Sequence, residues 1–159
     1  MSIGVLFVCL GNICRSPTAE AVFKKRLADH AWLGAQVHVD SAGTGAWHVG
    51  HSPDPRSIAA AQKRGYDLKS LRARQTCTED FSRFDYLLAM DHNNLSHLKQ
   101  IAPQGFKGQL ELFLRYSAGN QTEVPDPYYQ SGDKGFYDVI DLIESASEGL
   151  IDVLEKRLG

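Results

Sequence analysis

Gly4-Val5-Leu6-Phe7-Val8-Cys9-Leu10-Gly11-Asn12-Ile13-Cys14-Arg15-Ser16-Pro17 is the stretch on which the fold turns. It opens with a continuous run of β-favouring residues, the pattern of a strand buried on both faces. Pro17 stands where it opens a helix, because the first turn has no use for the N–H that proline lacks. Ala19, Val22, Phe23 and Leu27 then fall on one face of that helix. The turn from Cys9 to Ser16 directs successive backbone N–H groups inward, and the helix N-terminus adds partial positive charge. A tetrahedral oxyanion fits such a cradle. Arg15 can grip two of its oxygens in a planar fork that lysine cannot copy. Cys9 closes the strand and points into the same cradle, where the N–H groups, the dipole and Arg15 all favour its thiolate. A thiolate held against a bound phosphate is placed for in-line attack on phosphorus.

Outward from this stretch, strand and helix patterns alternate. Ala35 to Ser41 reads as a second strand, with Val37 and Val39 alternating against His38 and Asp40. Asp54-Pro55 reads as the N-cap and first turn of a helix that stops at Gly65. Tyr86 to Met90 is a third buried strand, and Leu95, Leu98 and Ile101 mark the helix after it. Leu110 to Leu114 gives a fourth strand. The stripe Phe136, Val139, Ile140, Ile143, Leu150, Ile151, Leu154 and Leu158 gives a long last helix. The expectation is an α/β protein: one domain over residues 1–159, with a four-stranded parallel sheet and helices on both faces, doubly wound and Rossmann-like. Ligands of such sheets bind beyond the carboxyl ends of the strands. The loose stretches Gly43 to Pro53 and Ser117 to Gly135 both follow strands, so both can overhang that edge.

Composition narrows the function. A chain of 159 residues, 43% of them hydrophobic, can bury a core without disulfide or metal staples. With 17 basic against 19 acidic residues, nothing points to nucleic acid or a membrane surface as partner. Met1 to Cys9 lacks the basic flank and long apolar region of a secretory signal. Three cysteines, an odd and small number, fit a reducing compartment, and the expected location is cytoplasmic. No G-K-[ST] follows the glycines of the first loop, so an ATP-type phosphate loop is excluded. His48/His51 and His92/His97 lack companions at ligand spacing, so no metal and no cofactor is expected. Cys77 stands alone and reads as a core residue. Cys14 shares the tight loop with Cys9, where it either packs or traps Cys9 as a disulfide.

A phosphate cradle with a thiolate still needs an acid, because a tyrosine oxyanion leaves better when protonated. Asp126 in Val124-Pro125-Asp126-Pro127-Tyr128-Tyr129 is the candidate, held between prolines in a loop that follows the fourth strand.

The whole chain resembles the low-molecular-weight protein-tyrosine phosphatases. Val8-Cys9-Leu10-Gly11-Asn12-Ile13-Cys14-Arg15-Ser16-Pro17 matches that family's signature loop. Asp40-Ser41-Ala42-Gly43, Ser52-Pro53-Asp54-Pro55-Arg56, Ala73-Arg74-Gln75, Met90-Asp91 and Asp126-Pro127-Tyr128 resemble its later landmarks, in order. The resemblance implies a monomeric enzyme acting on tyrosine-phosphorylated proteins through a cysteinyl-phosphate. Cys9 would be the nucleophile, Arg15 the phosphate clamp, and Asp126 the general acid and then base. The loop residues Leu10, Gly11, Asn12, Ile13, Cys14 and Ser16 would surround the phosphate, with Ser16 steadying the thiolate. Asn12 and Ser41 would hold the loop by hydrogen bonds, and Asp91 would support Arg15. Trp47, Tyr128 and Tyr129 would wall a slot for the phenyl ring. One departure is Leu71, where many members carry a histidine that braces the loop asparagine. Two rivals share the fold. Arsenate reductases need two further cysteines around Cys77, and this chain has one. Protein-arginine phosphatases carry threonine where Ile13 stands and tend to have phenylalanine where Tyr128 stands.

Overall fold

The computed structural model describes residues 2–159. The sheet is built from β1 (Ile3–Cys9), β2 (Val37–Gly43), β3 (Tyr86–Ala89) and β4 (Gln109–Leu112). All pairings are parallel and the spatial order is β2-β1-β3-β4. The order reverses beside β1, so the crevice that α/β sheets use for ligands opens at the carboxyl end of that strand, where Cys9 lies.

Alternation along β1 divides the interior in two. Val5, Phe7 and Cys9 face one layer, packed by α1 (Arg15–Ala28), α3 (Pro55–Lys63) and the long α6 (Lys134–Leu158). Leu6 and Val8 face the other, covered by the one-turn α4 (Asp80–Arg83) and by α5 (His92–Ile101). β3 does the same, with Tyr86 and Leu88 on the first face and Leu87 and Ala89 on the second. This is the period of a strand buried on both sides. Phe7 sits at the centre of the first layer, edge-on to Phe23 at 5.6 Å and to Phe113 at 4.8 Å.

The expected elements are present with shifted ends. β2 runs two residues further than its alternation suggests, because Ala42 and Gly43 continue the pairing with Val8 and Cys9. β4 stops at Leu112, since Phe113–Tyr116 winds into a 3-10 turn that swings Phe113 and Leu114 into the α1/α6 layer. Two single-turn helices escape the sequence pattern: α2 (Ala31–Gly34) and α4. Cys77 is not in the core. It is exposed at the entry to α4, where its backbone N–H donates to Asp80 at 2.9 Å. Among the described residues no helix is long and apolar enough to cross a membrane.

Where β2 ends, its chain passes directly over the turn that follows β1. Thr44 N–H donates to Cys9 O and Gly45 N–H to Leu10 O, both at 2.9 Å. A Cβ on Gly43 would stand 2.7 Å from Leu10 O and 3.1 Å from Asn12 N, both of them backbone atoms that cannot swing aside. Gly43→Ala is therefore expected to destabilise by ~1–3 kcal/mol. For a domain of this length the melting temperature should fall by about 2–4 °C per kcal/mol. An unchanged melting temperature would show that the two backbones have room to part.

Candidate active site

The turn after β1 holds its carbonyl groups outward. Cys9 O and Leu10 O accept from Thr44 and Gly45, Ile13 O accepts from Asp54 N–H at 2.8 Å, and Cys14 O accepts from the Thr18 hydroxyl at 2.7 Å. With the carbonyls so occupied, the N–H groups of the same peptides face the interior of the turn. α1 starts at Arg15 with no side-chain cap, so its first N–H groups are open to an anion. Asn12 makes the turn possible with φ 57°, the one left-handed non-glycine residue among those described.

Below the turn runs a chain of hydrogen bonds. Asn12 Nδ2 donates to Ser16 Oγ at 2.7 Å and to Ser41 Oγ at 3.0 Å. The Ser41 hydroxyl donates to Glu20 Oε1 at 2.7 Å, and Lys24 Nζ donates to the other oxygen of Glu20. Ser16, accepting from Asn12, turns its hydroxyl to Cys9 Sγ at 3.0 Å. Asn12 N–H reaches the same sulfur at 3.3 Å. Asn12 Oδ1 is also engaged, accepting from Arg74 N–H at 3.0 Å. The brace that Leu71 put in doubt is therefore supplied by a backbone amide, and Leu71 packs against the core instead.

Arg15 is buried, and it is aimed by residues that follow β3 and β4. Its Nη1 donates to Asp91 Oδ2 at 2.7 Å and to Val124 O at 3.0 Å, while Nη2 lies 3.6 Å from Asp126 Oδ2. Burial alone would lower the guanidinium pKa, but the Cys9 sulfur and the carboxylates of Asp91 and Asp126 more than offset it. Asp91 does double duty: its Oδ1 caps α5 through Asn94 N–H at 2.8 Å. Burial pushes the Cys14 thiol up to about 12, and a hydrogen bond from Ser57 does not compensate. Cys14 is thus protonated at neutral pH and does not compete with Cys9 for electrophiles.

Above the turn opens a cleft of about 520 Å³, lined by Cys9, Leu10, Gly11, Ile13, Cys14, Arg15, Trp47, His48, Asp126, Tyr128 and Tyr129. Cys9 and Arg15 form its buried floor, and Trp47 and Tyr129, 70% and 83% exposed, form its mouth. Asn12 and Ser16 do not line it, because their side chains lie beneath the loop. Ser41 and Asp91 are likewise behind it, each touching a loop residue. The sequence missed Glu20 and His48. Glu20 and Lys24 are four residues apart, which reads as a solvated surface pair, yet Glu20 is buried. His48 is weighed only as a metal ligand, and its place beside Trp47 was the available signal. Among the described residues no three His, Cys, Asp or Glu side chains are grouped to hold a metal.

A strand, a tight turn and an uncapped helix, with a buried cysteine and arginine facing an aspartate across an aromatic cleft, mark the protein as a phosphatase. The family model "Low molecular weight phosphotyrosine protein phosphatase" matches residues 4–158, and the chain belongs to that family. A Schizosaccharomyces pombe protein of that name is 47% identical over 138 residues, covering 86% of this chain and 87% of its own. A Streptomyces coelicolor low molecular weight protein-tyrosine-phosphatase is 43% identical over 162 residues, covering 99% and 97%. The solved structure of an Entamoeba histolytica protein tyrosine phosphatase with Hepes in its active site superposes with a TM-score of 0.93 at 43% identity, covering 99% of this chain and 100% of that one. A Drosophila arginine phosphatase superposes with a TM-score of 0.87 at 31% identity, covering 94% and 96%.

Glu20 supplies the buried acceptor for Ser41, so Glu20→Ala should destabilise the protein by ~1–3 kcal/mol. Glu20→Gln, whose amide oxygen still accepts from Ser41, should lose less. Urea unfolding of both variants checks this, and equal losses would remove the Ser41 contact as the cause.

Proposed function

We propose that the enzyme hydrolyses phosphotyrosine in phosphoproteins through a cysteinyl-phosphate on Cys9. The observation that carries this is the environment of one sulfur. Cys9 Sγ sits at the centre of an inward-facing turn, 3.0 Å from the Ser16 hydroxyl and 3.3 Å from Asn12 N–H, on the floor that the buried Arg15 shares.

The phosphate enters the turn and its equatorial oxygens meet the loop N–H groups and the Arg15 fork. Cys9 thiolate attacks phosphorus in line, forming a P–S bond as the P–O bond to the phenol breaks. Asp126, protonated, gives its proton to the departing oxygen. Its carboxylate then takes a proton from water, which attacks phosphorus, breaks the P–S bond and frees inorganic phosphate with Cys9 as thiolate. Asp126 is half-buried at the cleft edge, and its Oδ1 accepts from Tyr128 N–H at 3.1 Å, which ties the acid to the aromatic wall. Trp47, Tyr128 and Tyr129 flank the phenyl ring and place the leaving oxygen beside Asp126. Three free thiols suit the reducing cytoplasm.

Asp126→Asn tests the acid. Turnover of phosphotyrosine should fall by ~100- to 10,000-fold and that of p-nitrophenyl phosphate much less, since p-nitrophenolate departs without a proton. Equal losses across a series of leaving groups would exclude Asp126 from this role.

Ile13 and Tyr128 favour tyrosine over arginine as the phosphate carrier. Ile13 lies in the cleft wall with its side chain almost wholly buried. A charged guanidino-phosphate would have to shed water against it without a compensating hydrogen bond. Ile13→Thr supplies a hydroxyl, and the phosphotyrosine-to-phosphoarginine ratio of kcat/KM is expected to fall by roughly tenfold or more. A ratio that stays the same would assign the choice to the aromatic walls.

A further inference from the structure

Arg56 lies outside the cleft and its charge is already spent, yet it touches each part of the cleft's support on that side. Its Nε and Nη2 grip Asp54 in a fork, at 3.1 Å to Oδ1 and 2.8 Å to Oδ2. Nη2 also donates to Tyr128 O at 3.0 Å, and Nη1 points to Gln130 O at 3.4 Å. The guanidinium plane packs on two rings, 4.7 Å from the centroid of Phe136 and 5.6 Å from that of Tyr128. Asp54 is the N-cap of α3, and its own N–H holds Ile13 O of the phosphate turn at 2.8 Å. One side chain therefore spans from the helix that holds the turn to the loop that carries the aromatic wall. Burial pushes the Asp54 carboxyl up, but hydrogen bonds from the Arg56 side chain and backbone outweigh it and leave it below its ordinary value.

The segment from Pro125 to Gly135 needs such a strap. Between Pro125 and Asp133 it contains no helix or strand, and Tyr129 projects into solvent from it. Its inner end is fixed by Val124 N–H on Met90 O at 2.8 Å and by Val124 O on Arg15. At Tyr128 the backbone carbonyl is held by Arg56.

We propose that Arg56 is a positioning residue for substrate recognition: it sets the spacing between the Tyr128 wall and the phosphate turn, and so governs affinity for the aromatic ring rather than for the phosphate. This rests on the reading of Tyr128 as a ring wall. Only a guanidinium can do it, because its fork must hold Asp54 while its remaining N–H groups reach two carbonyls. A lysine ammonium on the same stem can serve the carboxylate or a carbonyl, not both.

The test compares Arg56→Gln and Arg56→Lys with the parent enzyme, using p-nitrophenyl phosphate as substrate and inorganic phosphate as competitive inhibitor. p-Nitrophenolate leaves unaided, so a displaced Asp126 does not enter the reading. Expected is a fall in kcat/KM of about tenfold for Arg56→Gln and at least threefold for Arg56→Lys, with the inhibition constant of phosphate within twofold of the parent. Arg64→Gln, which removes a surface arginine paired with Asp141 at 2.8 Å, should change neither. If Arg56→Gln folds poorly, Arg56→Lys is read alone by the same criteria. Unchanged kcat/KM in an active parent background overturns the role of Arg56. So does a loss of phosphate binding equal to the loss of kcat/KM, which would place the effect in the turn. A parent inert toward p-nitrophenyl phosphate overturns the cysteinyl-phosphate reading as well, and is thereby told apart from the other two.

Discussion

Asn12 holds a left-handed backbone at φ 57°, and it does so at the point where a row of peptide N–H groups must converge on one small volume. Convergent N–H dipoles repel one another, and a non-glycine residue in that conformation adds its own strain. The arrangement persists because the surroundings over-determine it. The Asn12 amide makes three hydrogen bonds, to Ser16, to Ser41 and from Arg74, and each partner belongs to a different segment. Four carbonyls of the turn are bonded outward, to the segment after β2, to the N-cap of α3 and to α1 itself. Opening the turn would break contacts on three sides at once, so it can wait for an anion in its binding shape. The electrostatic work is done in folding and not at the moment of reaction.

A second constraint joins this turn to the Asp126 loop through Arg15. The guanidinium is buried, and a buried cation must be paired and hydrogen-bonded to be tolerated. Its partners are Asp91, after β3, and the carbonyl of Val124, two residues before Asp126. The contacts that keep Arg15 charged therefore also locate Asp126. Cys9 and Arg15 share one turn while Asp91 and Asp126 come from later stretches of chain, and they meet because β1 and β3 are neighbours whose carboxyl ends share one edge.

The strand, the turn and the first helix were legible because each follows from local chemistry: a β-favouring run, a cysteine-to-arginine spacing and a proline at a helix start. Asp126 was legible because prolines flank it. The places where the reading failed are also local. Glu20 drew no reading, because its contact with Ser41 joins residues 21 positions apart in the chain. Cys77 looked like core because cysteines are usually buried, whereas it is exposed at the entry to a one-turn helix whose buried members are Asp80 and Phe81. Leu71 suggested a missing brace because a side chain was sought where a backbone N–H served.

The sequence alone determined the order of strands and helices, the phosphate turn and the pairing of a thiol with an arginine and an aspartate. Periodicity and turn chemistry act over a few residues, and those features need no more. Tertiary structure alone decided which carbonyls turn outward, which buried carboxylate accepts from Ser41, and which cation binds the Tyr128 carbonyl. Each of those depends on atoms brought within about 3 Å from dozens of residues apart, such as Arg56 and Tyr128, 72 residues distant in the chain. No pattern in the chain records such a distance, because it is set by the packing of helices on both faces of the sheet.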